Sequence, residues 1–188
     1  GRLVPQIVYY VYGYAKLYGA GEIKKGEPLN VVVPTGNFRN ILAAYYAKQM
    51  GLPIGKLICA SNDNKVLYDF FQTGCYDRNR EFILTTSPSM DILISSNLER
   101  LLYLISGEDD GKDAALMKEL SETGRYRIDD GMRSRLSDFR GGFATEEETA
   151  KEIRRVYRES GYVLDPHTAV ASCVYGKYRG ESGDETKT

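Results

Sequence analysis

A chain of 188 residues, 42% apolar and 27% charged, is long enough for one domain whose core buries roughly 70% of its unfolded surface. A net charge of −1 argues against a dedicated nucleic-acid binder, and no stretch is apolar for long enough to span a membrane. Cys59, Cys75 and Cys173 are odd in number, widely spaced and without a CxxC pair. That pattern fits plain thiols in a reducing, cytoplasmic compartment better than a disulfide framework or a metal site.

The apolar opening LVPQIVYYVYGYAKLYGA carries Gln6 and Lys16 and lacks the basic start and cleavage site of a signal peptide. It reads as a helix over residues 2–19, with Pro5 in a first turn and Ile7, Tyr10, Val11, Tyr14 and Tyr18 at helical spacing. An abrupt apolar start at Gly1 suggests an interior portion of something larger. Alternating units follow. A strand from Leu29 to Val33 leads to a helix from Phe38 to Met50, stopped by Gly51 and Pro53. A strand from Lys56 to Ala60, a helix from Lys65 to Thr73 and a third strand at EFILTT complete the series. This order predicts an α/β fold with a partial parallel sheet and flanking helices.

The C-terminal half reads as helical. Ser89 is expected to cap a helix through MDILISSNLERLLYLISG, and further helices are expected at Asp113–Glu122 and Met132–Phe139. Thr145 with Glu148 makes a capping box for a helix to Ser160, closed by Gly161. Asp165-Pro166 opens the last helix. Residues 1–178 are expected to form one domain and 179–188 a flexible polar tail.

The most distinctive local chemistry lies in VVVPTGNFRN. A strand ends at Val33 and a helix opens near Phe38, so unpaired first-turn amides point out of the helix with partial positive charge. Gly36 permits close backbone approach, and Asn37 accepts a left-handed conformation or a capping role. An anion here would be held by backbone N–H groups alone, at the carboxyl end of a strand. The chain has neither GxGxxG nor GxxxxGK[ST], and an Asn-capped turn without ligand explains the same residues. After the next strand, Ser61, Asn62 and Asn64 of SNDN could donate to a phosphate or carboxylate, or simply form a turn.

Four ordered segments, PTGNFRNILA, GLPIGKLICASNDN, TTSPSMDILISSNLERLL and LDPHTAVAS, together resemble threonine synthase. These are pyridoxal 5'-phosphate enzymes of the tryptophan synthase β-like fold group. The resemblance implies that Gly36, Asn37, Phe38, Arg39 and Asn40 bind the cofactor phosphate. It also implies that Asp165, His167 and Thr168 lie beside the cofactor ring; Asp165 as N-cap with His167 as a surface residue explains them equally well. Arg39 stands where the family usually has a second glycine. It costs nothing if helical and about 1–2 kcal/mol if left-handed. The family's Schiff-base lysine lies upstream of the matched portion, and the hydroxyl partner of its pyridine nitrogen downstream. The resemblance therefore implies an interior or C-terminal portion of a carbon–oxygen lyase that converts O-phosphohomoserine and water to threonine and phosphate. Such a portion is expected to be inactive alone, to carry no catalytic residue or metal, and to self-associate through exposed sheet edges. Another pyridoxal phosphate lyase of the group, or a non-catalytic phosphate-binding module, remains the alternative.

Overall fold

The computed structural model describes residues 2–188; Gly1, at the head of the expected domain, lies outside the described residues. A single 3-10 turn at Val4–Gln6 runs into helix α1, Ile7–Gly19. Proline is tolerated there because a first-turn N–H has no helical partner to lose. Strand β1 (Leu29–Pro34), helix α2 (Arg39–Gln49), strand β2 (Ile54–Ser61) and helix α3 (Val66–Thr73) follow as the periodicity predicts. Gly74 closes α3 with φ +70°, a conformation that suits a residue without Cβ.

Beyond α3 come β3 (Cys75–Asp77), α4 (Leu98–Ser106), α5 (Asp110–Thr123), β4 (Arg125–Arg127), α6 (Asp130–Ser134) and β5 (Phe139–Phe143). Helices α7 (Glu146–Ser160) and α8 (Pro166–Ser182) end the fold. The main sheet is parallel in the order β1-β2-β5, with Val33 opposite Cys59 and Cys59 opposite Gly141. Strands β3 and β4 form a separate antiparallel pair, with the Tyr76 and Tyr126 rings stacked at 5.3 Å.

Both faces of the main sheet are covered. Alternate residues of β2 point to opposite sides, as a pleated strand requires. Leu57 and Cys59 join a core with Ile41, Leu42, Val66, Leu67 and Phe70 from α2 and α3. Ile58 and Ala60 join a second core with Val170 and Val174 of α8. The capping box of α7 is present: Thr145 Oγ1 accepts from the Glu148 N–H, and the Glu148 carboxylate accepts from the Thr145 N–H.

Four expected elements differ from the structure. EFILTT is not a strand, because the Asn64 amide takes the place of a neighbouring strand: it accepts from the Ile83 N–H and donates to the Ile83 carbonyl. The third parallel strand is FRGGF, whose glycines conceal it from any propensity reading. A Cβ on Gly142 would sit 2.5 Å from Val174 Cγ1, so bare backbone is what lets α8 close on β5. Ser89 opens no long helix; Pro88–Met90 is one 3-10 turn, and α4 starts only at Leu98. Met132–Phe139 divides into short α6 and the start of β5, where Phe139 stacks on Phe71 at 5.5 Å. The segment expected as a tail is anchored. Arg179–Ser182 completes α8, Asp184 accepts from Asn30 Nδ2 at 2.8 Å, and the Asn30 N–H donates to the Lys187 carbonyl.

Candidate functional site

The turn after β1 sits at the carboxyl end of the parallel sheet. The Thr35 N–H still donates to the Ala60 carbonyl, so the turn leaves the sheet at Gly36. A Cβ on Gly36 would lie 2.6 Å from the Ser89 carbonyl oxygen. Glycine is thus required there by the close passage of the Pro88–Met90 turn.

Phe38 is the left-handed residue, with φ +58° and ψ 6°. Its ring is 1% exposed and packs near Phe71 and Phe139, which holds an aromatic residue in a conformation it otherwise avoids. Arg39, one residue on, is already the first residue of α2. Its backbone is therefore unstrained, and the side-chain bearing residue at the family's second glycine position costs nothing.

A left-handed residue followed by a helical one turns successive N–H groups toward a common point, forming a concavity for anions. Among the described residues, the N–H groups of Gly36 to Ile41 form no hydrogen bond within the protein. The acceptors of the same loop are occupied instead. Ser95 Oγ donates to the Gly36 carbonyl at 2.9 Å. The Ser96 N–H and hydroxyl both donate to Asn37 Oδ1. Asn97 Nδ2 donates to the Asn37 carbonyl at 2.8 Å, and the Leu42 N–H to the Phe38 carbonyl at 3.2 Å. Tyr10 Oη donates to Asn40, whose amide in turn donates to Gln6 Oε1 at 3.1 Å. The loop offers donors while its acceptors are occupied, an arrangement that favours negative charge.

The cleft over these amides has a volume of about 440 Å³ and is walled on one side by Gln6 and Tyr9 of the N-terminal segment. None of its lining residues is a lysine or a cysteine. Cys59 lies in the core of β2, where burial pushes its thiol up to about 12 against a hydrogen bond with Thr35. It is a packing residue and not a nucleophile.

The other sequence-derived candidates fall into two clusters. Asn62 is buried at the end of β2, and its Nδ2 donates to Thr85, Ser87 and Asp91 while its Oδ1 accepts from the Asn64 N–H. It clamps the irregular 81–91 segment to the sheet. Asp165, His167 and Thr168 form the cap of α8. Asp165 Oδ1 accepts from the His167 and Thr168 N–H groups, and Thr168 Oγ1 donates to Asp165 Oδ2. The Thr168 hydroxyl, together with the backbone bonds, holds the Asp165 carboxyl below its ordinary range. His167 Nε2 accepts from the Ser89 N–H at 3.3 Å. The cap therefore touches the same turn whose Ser89 carbonyl faces Gly36, and three separate chain segments meet at the loop. The sequence signal missed was SSN at 95–97, which reads as helix interior but carries four donors to the loop.

No protein-family model matches the chain. It is 49% identical over 176 residues to threonine synthase-like 1 of Homo sapiens, covering 93% of this chain and 24% of that protein. It is 38% identical to threonine synthase of Saccharomyces cerevisiae, over 98% of this chain and 38% of the relative. The crystal structure of PLP-bound threonine synthase from Brucella melitensis superposes with a TM-score of 0.88 at 42% identity, over 99% of this chain and 38% of that one. The chain thus spans about a quarter of the threonine synthase-like relatives and little more than a third of the threonine synthases.

Proposed function

We propose, from a chain homologous over nearly its whole length to part of the threonine synthases, that its loop at Gly36–Asn40 holds the phosphate of pyridoxal 5'-phosphate. The observation that carries this reading is the row of unpartnered N–H groups from Gly36 to Ile41, beside carbonyls that are all occupied. Phosphate oxygens need several convergent donors, and a loop with its acceptors capped offers no repulsion.

In the whole enzyme the reaction is the conversion of O-phosphohomoserine and water to threonine and inorganic phosphate. The cofactor supplies an electron sink for carbanion chemistry when bound. This chain's residues bind and orient. The amides of Gly36–Asn40 would hold its phosphate; Gln6 and Tyr9 wall one side of the cleft. The capped cluster of Asp165, His167 and Thr168 supports the Ser89 turn from behind. No residue lining the cleft is a lysine, so the covalent step and proton shuttling require a residue from elsewhere. The reading carries with it a lyase that acts on a small phosphorylated amino acid in the cytoplasm.

Two measurements test it. Titration of pyridoxal 5'-phosphate into the 188-residue chain shifts the backbone amide signals of Gly36–Ile41 ahead of all others. The complete product of the encoding gene, with the cofactor, releases phosphate and forms threonine from O-phosphohomoserine, while the 188-residue chain forms none. Amides that stay unmoved in both proteins contradict the cradle assignment. Cofactor binding without turnover in the complete product supports another lyase of the group or a binding-only module.

A further inference from the structure

Asn97 occupies the N-cap position of α4, yet its side chain accepts from none of that helix's backbone N–H groups. An N-cap asparagine ordinarily accepts from the N–H of the second or third helical residue. Here the amide is turned around. Nδ2 donates to the Asn37 carbonyl at 2.8 Å, and Oδ1 accepts from the Arg100 guanidinium. Asn97 is only 5% exposed, so both ends of its amide need partners, and both have them. The orientation is fixed because a guanidinium only donates and a carbonyl only accepts.

The consequence lies in the plane of the peptide. The Asn37 carbonyl and the Phe38 N–H belong to one rigid trans unit and point in opposite directions. Holding the carbonyl toward α4 aims the Phe38 N–H the other way, away from α4. Ser95 does the same for the preceding peptide through the Gly36 carbonyl. Released, the Asn37 peptide is free to rotate and present its oxygen where an anion would sit. The positive guanidinium behind Asn97 polarises the amide in the sense that strengthens its donation.

We propose that Asn97, with Arg100 behind it, is a positioning residue that sets the anion affinity of the loop by locking the Asn37–Phe38 peptide with its N–H outward. The proposal rests on the phosphate-cradle reading. It assigns to the Asn-Leu-Glu-Arg start of α4 a role in binding that no direct contact would reveal.

The test uses the 188-residue chain with inorganic phosphate and pyridoxal 5'-phosphate as probes, read by the Gly36–Ile41 amide signals, and with thermal unfolding measured alongside. Asn97→Asp keeps the volume and removes the donor; it is expected to weaken phosphate binding by about tenfold while the rest of the amide spectrum stays folded. Arg100→Met is expected to weaken it by about threefold, with Arg100→Lys close to the unaltered chain. Unchanged phosphate affinity in Asn97→Asp overturns the proposal and leaves the cradle standing. If Asn97→Asp does not fold, the exposed Arg100 pair decides, and equal affinities for Met and Lys overturn the relay. If the unaltered chain shows no amide response, the cradle reading fails and the proposal with it.

Discussion

At Gly36 and Phe38 backbone geometry and side-chain chemistry meet most closely. Gly36→Ala would place a methyl group 2.6 Å from a backbone oxygen that has no flexible end to yield. We expect a loss of about 1–3 kcal/mol in unfolding free energy, from urea titration, together with loss of the phosphate-induced amide shifts. A silent substitution would show that the Ser89 turn moves freely, and with it the support from His167. Phe38 shows why turn chemistry alone does not find the residue under strain. Its positive φ is held by a buried ring among aromatics from α3 and β5, contacts that no local pattern reveals. Arg39, the residue that breaks the family pattern, takes ordinary helical backbone.

Among the elements, α8 carries the clearest test. Asp165 caps two N–H groups, so Asp165→Ala should cost about 1 kcal/mol, and Asp165→Asn, an equally good cap, much less. Its carboxyl titrates below the ordinary aspartate range, chiefly through the Thr168 hydroxyl. A depressed folded-state value means that the charged form stabilises the fold above the unfolded value, and that this contribution fades as the pH falls through the folded one. The difference in thermal midpoint between the unaltered chain and Asp165→Asn should shrink or reverse on acidification; a constant difference would contradict a charge-dependent cap. Elements with explicit punctuation were legible in the sequence: β1, α2, β2, α3, α7 and the start of α8 all have Gly, Pro or capping residues at their ends. The rest was not, because side chains took over backbone roles. Asn64 replaces a strand at Ile83, Ser95 to Asn97 are recruited by the loop, and β5 is built from glycines that only the neighbouring helices explain. The turn between β1 and α2 was readable from its Pro-Thr-Gly-Asn chemistry. Its support was not, since the supporting residues lie 59 and 60 positions away.

For the molecule as a whole, the uncovered surfaces matter. The outer edge of β5 lies in a groove between α3 and α8, lined by Tyr68, Gln72, Lys177 and Glu181, which hinders edge-to-edge pairing. Helix α1 and the turn before it instead expose Val4, Val8, Tyr9, Val11 and Tyr12. Apolar surface of this kind favours association. We expect sedimentation velocity to show concentration-dependent self-association of the 188-residue chain, suppressed by Val8→Glu with Tyr12→Glu. Association that survives those changes would implicate the sheet edge. The long reach of the loop's supports also bears on how the chain acquires its site. Strands β1 and β2 are joined by a short crossover and can pair early. The amide row is complete only after a segment some sixty residues downstream has closed its loop and docked, a step with a larger entropic barrier. A ligand that recognises the finished row binds only chains that have taken this step and draws the population toward them. Phosphate would then act on this protein as a folding effector, registering when the last long-range closure has been made.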